Sequence, residues 1–292
     1  MIEAKIVCDS VGPNGVRLTT FVLTYPRFIH SEFMTHRTFS RNASSSRAIP
    51  VKKQIQMVVD HPAIPLAFTK NKAGMQGGAA LDGDSHDKAV AAWLAARDSA
   101  VVQAQALADL EVHKQYANRC LEPFAHISVV CTATDWDNFF ALRCHEMAQP
   151  EIHALADLMC AAYTSNSPTA LEAGQWHLPF VTDEERAPDE KLAIKRSVVR
   201  CARVSYLNHE GKTPTVEEDL QLYDRLVGSA PIHASPAEHQ AQALPVEIYD
   251  SIFERFFDTN SAQKYSGNLK GWTQFRKTLA NENVSKFSPK KE

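Results

Sequence analysis

Two neighbouring segments near the N-terminus constrain the fold more than any other feature of the chain. The segments "AKIVCDSV" and "GVRLTTFVLTYP" alternate in polarity and are rich in β-branched residues, and the turn-forming run "GPNG" at 12–15 joins them. Alternation on both sides of a turn is typical of an antiparallel hairpin, so we predict two paired strands here. The apolar segment 126–134, "HISVVCTAT", predicts another, buried strand.

A helix is predicted to follow the hairpin directly. Pro26 suits a first helical turn, and the segment 26–41 reads "PRFIHSEFMTHRTFSR". On such a helix Glu32, His36 and Ser40 are four residues apart and share one face. The buried side of this helix is expected to comprise Phe28, Ile29, Phe33 and Met34.

The remaining chain is predicted to contain mostly helices and loops. Residues 60–84 are rich in Pro, Gly and Asp and predict a long loop, and an Ala-rich helix is predicted from Ser85 to about Leu121. Further predictions are two helices within 136–163, the second starting at Pro150, a loop or linker at 164–196, helices at about 189–206 and 216–228, a strand at 239–246 and a flexible tail at 281–292. These elements indicate an α/β or α+β protein with one domain over 1–280.

Composition limits the possible partners of the chain. Its 292 residues are 44% hydrophobic and carry a formal net charge of only −3, which argues against a nucleic-acid partner and makes any anion site local. Six scattered cysteines without a C-x-x-C pair are typical of reduced thiols in a cytosol. The N-terminal residues lack the apolar core of a signal peptide, and no apolar run approaches the roughly 20 residues that span a bilayer. We therefore expect a soluble cytoplasmic protein without a membrane partner.

The segment "THRTFSRNASSSRAIP" (35–50) combines arginines with hydroxyl groups and contains few large apolar side chains. Arg37, Arg41 and Arg47 can each offer forked donors to a phosphate, and the serine hydroxyls can complete an anion cradle. The alternative is a solvated loop. Arg119 and Arg143 lie in apolar surroundings, where an arginine either binds a buried partner or reaches solvent and pairs with an acid.

Several common sites are not supported by the chain. The segment "HASPAEH" (233–239) has two histidines and a glutamate, but no H-E-x-x-H or zinc-finger spacing occurs, so we predict no metal. No G-x-S-x-G elbow, P-loop or G-x-G-x-x-G motif is present. A bound nucleotide would have to be held by arginines and serines instead.

The motifs of the chain resemble those of a known family. The segment "THRTFSRNASSSRA" resembles the signature R-H-R-x-x-S-x-N-E-x-S-x-R-Y of the flavin-dependent thymidylate synthases. The matches in register are His36, Arg37, Ser40, Asn42, Ser45 and Arg47. The segments "ANRCLEP", "DNFFALR" and "QPEIHALA" resemble three further family segments. The stretch "CARVSY…HASPAEHQAQA" (201–243) resembles one that precedes the signature in usual members but follows it here, which indicates a rearranged branch of the family.

This resemblance implies a fold and an activity. The fold would be a central, mostly antiparallel sheet packed with long helices, in a single catalytic domain with the signature at 35–48 and a second cofactor segment at 200–243. The activity would be reductive methylation of dUMP at C5 to dTMP, with a methylene group from methylenetetrahydrofolate and a hydride from FAD reduced by NADPH. The family forms homotetramers whose sites lie between subunits.

The resemblance also implies roles for individual residues. Arg143 would lie at the pyrimidine ring, where a fixed cation stabilises the negative charge that develops as C5 becomes nucleophilic. Arg143 and Ser45 are thus the predicted catalytic residues. The predicted flavin-binding residues are His36, Arg37, Asn138, Ser235 and Glu238, with His233 near both flavin and folate. The predicted substrate-binding residues are Glu32, Ser45, Arg47, Arg119 and Arg143.

The chain departs from the family pattern at several positions. Thr35, Ala43 and Ala48 replace arginine, glutamate and tyrosine of the signature, Glu32 and Met147 replace glutamine and histidine, and Thr132 and Thr134 replace an asparagine and an arginine associated with the cofactor. A carboxylate at position 32 could accept from the exocyclic amine of cytosine, so methylation or hydroxymethylation of dCMP is an alternative. Another is that Glu32 pairs with a nearby arginine. A third hypothesis is a non-catalytic module that binds nucleotides or RNA.

Overall fold

The computed structural model describes residues 1–204, 211–245, 263–280 and 282–283, and it confirms the N-terminal hairpin. Strand β1 (Glu3–Val11) pairs antiparallel with β2 (Arg17–Pro26). In the turn between them Gly15 has a φ of +75°, a conformation that favours glycine, and Asn14 Oδ1 accepts from the Val16 amide at 3.0 Å.

The hairpin lies inside a five-stranded sheet in the order β3-β4-β2-β1-β5. The other strands are β3 (Ser40–Ala43), β4 (His126–Ala133) and β5 (Thr169–Ala170). All neighbours are antiparallel except β1 and β5. The predicted strand at 126–134 and the predicted mostly antiparallel sheet are therefore confirmed. A second, three-stranded antiparallel sheet is formed by β6 (Trp176–His177), β7 (Ala241–Ala243) and β8 (Trp272–Gln274).

Helices surround the sheets, as expected for a mixed α/β protein. In the described residues the α-helices are α1 (His30–Phe33), α2 (Val51–Asp60), α3 (Gly83–Asp109), α4 (Lys114–Ala117), α5 (Asp137–Arg143), α6 (Pro150–Ser165), α7 (Asp183–Arg186), α8 (Glu190–Arg203), α9 (Val216–Tyr223) and α10 (Gln263–Ser266). The 3₁₀ segments are Arg27–Ile29, Asn118–Phe124, Ser235–Glu238 and Phe275–Thr278, and Asp224–Gly228 forms a π-turn after α9. The described part of the chain has no helix long and apolar enough to cross a membrane.

The largest hydrophobic core lies where α5 and α6 pack on the sheet. In α6 the buried residues Ile152, Leu155, Ala156 and Met159 recur at helical spacing. They pack with β2 and β4 side chains such as Phe21 and Ile127. This packing holds α5, and with it Arg143, against the segment that follows β2.

The predicted helix at 26–41 is wrong beyond its first turns. The chain forms one 3₁₀ turn and α1, and then it turns and enters β3, where Ser40 pairs with Thr132. Arg41 Nη1 donates to the carbonyl oxygens of Met34 at 2.9 Å and His36 at 3.0 Å, which satisfies acceptors beyond the end of α1. Ser40 therefore does not share a helical face with Glu32. Phe33 and Ile29 are buried as predicted, but Met34 is exposed.

The predicted helix from Ser85 to Leu121 is interrupted. Helix α3 ends at Asp109, and Glu111 adopts a left-handed conformation with a φ of 57°. The chain then continues through α4 and a 3₁₀ segment that contains Pro123, whose ring removes a backbone donor. Arg119 thus lies in a 3₁₀ segment and not at the end of a long helix.

Other predicted elements agree with the structure in part. The two helices within 136–163, with Pro150 at the start of the second, are confirmed as α5 and α6. The loop at 60–84 is present, although a bridge joins Thr69 to Ala80 within it. Residues 164–196 are not one loop, since they contain β5, β6, α7 and the start of α8. Most of the predicted tail at 281–292 lies outside the described residues.

Candidate functional site

Three of the predicted site residues form one cluster, which we call the Arg143 cluster: Glu32, His36 and Arg143. Glu32 belongs to α1, His36 to the turn after it, and Arg143 is the last residue of α5. Arg143 Nε donates to His36 Nε2 at 3.1 Å, and its Nη1 forms an ion pair with Glu32 Oε1. The interpretation of Glu32 as the partner of a nearby arginine is therefore confirmed.

The aromatic surroundings of His36 set its protonation state. Its ring stacks on Phe39 with centroids 5.7 Å apart and meets the edge of Phe139 at 4.8 Å. Burial, together with the charges of Arg143 and Arg41, lowers the pKa of His36 to about 4. His36 is therefore neutral near pH 7, so Nε2 can accept the hydrogen bond from Arg143 and the proton is assigned to Nδ1.

The Arg143 cluster is partly exposed to solvent and has polar groups beside it that could bind a ligand. The Arg143 side chain is 19% exposed and that of Glu32 is 29% exposed, and among the described residues only one oxygen of Glu32 is engaged. Asn138, at the start of α5, and Arg37, next to His36, are exposed and have no hydrogen-bond partner in the part of the chain that the structure describes. These free donors and acceptors could contact a polar ligand.

A second group, the Glu122 cluster, consists of Arg27, Ser46, Arg119 and Glu122. Glu122 Oε1 accepts from Ser46 Oγ at 2.7 Å and pairs with Arg27 Nη2 at 3.0 Å, while Arg119 Nη1 lies 3.0 Å from both carboxylate oxygens. Burial alone would raise the pKa of Glu122, but the hydrogen bonds from Ser46 and Arg119 and the charge of Arg27 lower it below its usual value. Glu122 is therefore an anion near pH 7.

The remaining residues of the serine-rich loop lie beside this cluster. Ser45 and Arg47 flank Ser46 in sequence and are exposed, and the Ser45 hydroxyl accepts from the Arg47 amide at 3.3 Å. Arg41 Nη1 donates to backbone carbonyls near the end of α1, so this nitrogen is engaged within the chain, while the prediction that Arg41 also donates to an anion stays a prediction. Within the described residues, the guanidinium groups of Arg37 and Arg47 thus have no hydrogen-bond partner, whereas Arg41 joins the segment to the end of α1.

The second predicted cofactor segment packs against the signature strand. The 3₁₀ segment Ser235–Glu238 contacts β3, and Gln274 Nε2 donates both to the Glu238 carbonyl at 3.1 Å and to Ser40 Oγ at 3.3 Å. The Glu238 carboxylate forms an ion pair with Arg276. Ser235 and His233 are exposed. Segments that are about 200 residues apart in sequence therefore meet at one edge of the sheet.

Two buried histidines, His177 and His239, are connected through threonine hydroxyl groups by a series of hydrogen bonds. His177 contacts Ser10 Oγ at 2.9 Å and Thr20 Oγ1 at 2.8 Å, Thr20 contacts Thr132 at 2.7 Å, and Thr132 contacts His239 Nδ1 at 2.8 Å. Burial lowers the pKa of each histidine to about 3, with the charge of Arg186 contributing at His177. Both rings are therefore neutral. Thr132 connects the His177 part of the hydrogen-bonded series to His239, because its hydroxyl contacts both Thr20 and His239.

Sequence reasoning missed four residues of these groups. Ser46 and Glu122 could have been suspected, since one follows Ser45 and the other lies three residues after Arg119, a spacing typical of helical ion pairs. Arg27 and Arg276 reach their partners through tertiary packing, for which the sequence offers no signal. No group of three metal-ligating side chains occurs among residues 1–204, 211–245, 263–280 and 282–283.

The fold and these clusters define a class of protein: a mixed α/β protein with two arginine-containing side-chain clusters, one of which lies beside the exposed residues Ser45 and Arg47. The sequence pattern of the thymidylate synthase complementing protein family matches residues 16–169, just over half of the 292 residues. The chain belongs to this family. The match ends before residues 200–243, so the rearranged segment order stays a prediction.

Two solved structures of one protein are among those that match the chain. A UMP/dUMP methylase, PolB from Streptomyces cacaoi, bound with 5-Br UMP, is 18% identical, with a TM-score of 0.46 over 56% of this chain and 89% of that one. The same methylase bound with 5-Br dUMP is 24% identical, with a TM-score of 0.43 over 52% of this chain and 69% of that one. No curated protein sequence matches the chain.

Proposed function

We propose that this protein is a flavin-dependent methyltransferase that methylates dUMP at C5 to dTMP. The observation that carries the proposal is the contact of Arg143 with His36 and Glu32 in a chain that belongs to the thymidylate synthase complementing protein family. The two motifs that supply His36 and Arg143 are 107 residues apart in sequence and meet in the fold.

The proposed substrate contacts follow from the chemistry of the side chains. Arg143 would hold the pyrimidine ring, because a guanidinium fixed by two partners keeps its charge near C5 as that carbon becomes nucleophilic. Ser45, Arg47 and Arg119 would bind the phosphate, since hydroxyl and guanidinium groups are strong donors to phosphate oxygens. Neutral His36 orients Arg143 and does not compete with it for an anion.

The donor set also fits FAD. Arg37, Asn138 and Ser235 are exposed side chains with unused polar groups, as a cofactor with many polar oxygens and a pyrophosphate requires. We propose that they bind FAD together with His36, Glu238 and His233, and that Glu238 does so while paired with Arg276. Bound FAD would supply the hydride that completes the methyl group.

The proposal includes partners. NADPH would reduce the cofactor and methylenetetrahydrofolate would donate the methylene group. We further propose a cytoplasmic homotetramer with shared sites, which is consistent with the exposure of Arg47 and Arg119 on one chain.

The test is an activity and flavin-binding assay on three proteins: the natural chain, Arg143→Ala and Arg225→Ala. Arg225 is an exposed arginine of the π-turn and serves as a matched control. We expect a yellow protein that is bleached by NADPH and forms dTMP from dUMP and methylenetetrahydrofolate. Arg143→Ala should bind FAD but lose turnover, while Arg225→Ala should keep both. A protein that takes up no FAD, or an active Arg143→Ala variant, would contradict the proposal.

A second candidate substrate is dCMP. The observation that favours it is the Glu32 carboxylate in the Arg143 cluster, which has one oxygen engaged and one free. A carboxylate can only accept, so it suits the amine of cytosine and disfavours the carbonyl of uracil at the same place. The same assay with both nucleotides separates the candidates, and activity on dCMP alone would exclude dUMP. If nucleotides bind but neither is turned over, the non-catalytic hypothesis stands.

A further inference from the structure

The Glu122 cluster contains the donors that a phosphate group needs, arranged around an anion of the chain itself. Arg27, Arg119 and Ser46 all bind the carboxylate of Glu122 within 3.0 Å. Two guanidinium groups and a hydroxyl that converge on one oxyanion form the donor set of a phosphate site. In this structure that anion is a glutamate.

The three donors differ in how tightly they are held. Ser46 is buried, and the Arg27 side chain is 19% exposed. The Arg119 side chain is 55% exposed, and its pair with Glu122 spans only three residues of one 3₁₀ segment. Exposed pairs of this kind contribute little to stability. Arg119 is therefore the donor that can leave Glu122 at the lowest cost.

Unused donors lie next to this exposed guanidinium. Ser45 and Arg47 flank Ser46, and both are exposed without a side-chain partner in the described part of the chain. A phosphomonoester bound by Ser45, Arg47 and Arg119 would approach the charge of Glu122. Two negative groups at such a distance repel each other, so they compete for Arg119.

We propose that Glu122 is an internal competitor for the nucleotide phosphate: its carboxylate holds Arg119 until a phosphomonoester takes that guanidinium over. This inference rests on the proposed function, since it assigns Ser45, Arg47 and Arg119 to the phosphate. The carboxylate keeps Arg119 ordered and at the same time limits the affinity for the ligand. Arg27 and Ser46 remain on Glu122 throughout.

The test measures ligand affinity by calorimetry for the natural chain, Glu122→Gln and the control Glu217→Gln. Glu217 is exposed in α9, so its substitution makes the same change in net charge outside the cluster. The ligands are dUMP, inorganic phosphate and deoxyuridine, which lacks the phosphate. We expect Glu122→Gln to bind dUMP and phosphate about tenfold more tightly. Deoxyuridine binding, and the Glu217→Gln protein, should be unchanged.

A second variant guards against loss of the fold. Glu122→Asp withdraws the carboxylate by one methylene and should show a smaller gain of the same sign, so it decides the question if Glu122→Gln does not fold. Unchanged or weaker dUMP binding by folded variants would overturn the inference, even with full methylation activity. Tighter phosphate binding without methylation would support the inference and contradict the proposed function. No binding of dUMP or phosphate by any of the proteins would overturn both.

Discussion

The two buried histidines, His177 and His239, are expected to make the stability of the fold depend on pH. Both are fully buried, and burial lowers their pKa from 6.5 to about 3. The unfolded chain therefore binds two protons, below about pH 6.5, that the folded chain does not bind until about pH 3. Because the unfolded state binds more protons in this window, stability rises with pH and is lost as the pH falls through it.

The expected loss of unfolding free energy follows from the difference between the pH of the measurement and the pKa of each histidine in the unfolded chain. At pH 5 each histidine is about 1.5 units below its unfolded pKa, which corresponds to about 2 kcal/mol at 1.36 kcal/mol per unit. The two together account for about 4 kcal/mol between pH 7.5 and pH 5. Other groups titrate in the same range, so the contribution of one histidine must be isolated by substitution.

The assay is urea unfolding at pH 7.5 and pH 5 for the natural chain and for His239→Asn. Asparagine keeps a polar atom near the position of Nδ1, so the hydrogen bond to Thr132 can be retained. The difference in unfolding free energy between pH 7.5 and pH 5 should be about 2 kcal/mol smaller for the variant than for the natural chain. This expectation does not depend on the absolute stability of the variant. A difference equal to that of the natural chain would refute the argument, because it would mean that His239 titrates alike in both states.

Two further predictions concern the fold. Gly271→Ala should destabilise the fold by about 1–3 kcal/mol more than Gly15→Ala in urea unfolding. Both glycines have a positive φ, but only at Gly271 would an added Cβ meet Val16, at 2.9 Å. Equal losses of stability for the two variants would contradict this prediction. Glu185→Ala should cost about 2 kcal/mol in urea unfolding, since it removes the carboxylate that accepts from both Nη1 and Nη2 of Arg200, and a cost below about 0.5 kcal/mol would show that these hydrogen bonds contribute little.

The parts of the fold that could be predicted are those with a local cause. Alternating polarity and a turn sequence predict the hairpin, and Pro150 with apolar residues at helical spacing predicts α6. The segment 26–41 also has a helical pattern, but its last residues form β3 instead. This strand pairs with β4, which lies about 90 residues later in the sequence. Local propensity contains no information about such a pairing.

The site shows the same division. Motif resemblance identified Glu32, His36 and Arg143, which the fold brings into one cluster. It could not identify Glu122 as the anion that binds Arg119, nor Arg276 as the partner of Glu238, because these pairs depend on side-chain geometry. The effect of the departures from the family pattern at Thr35, Ala43 and Ala48 on the choice of substrate is tested by assays with dUMP and dCMP side by side.

Anaerobic reoxidation of the bound flavin tests most directly whether flavin, folate and nucleotide chemistry meet at one site of this protein. The protein is loaded with FAD, reduced with NADPH in the absence of oxygen, and mixed with methylenetetrahydrofolate and dUMP or dCMP. We predict that the flavin absorbance returns only when folate and nucleotide are both present, with one C5-methylated nucleotide formed per flavin oxidised. A flavin that stays reduced with both nucleotides, or reoxidation without a methylated product, would contradict the claim.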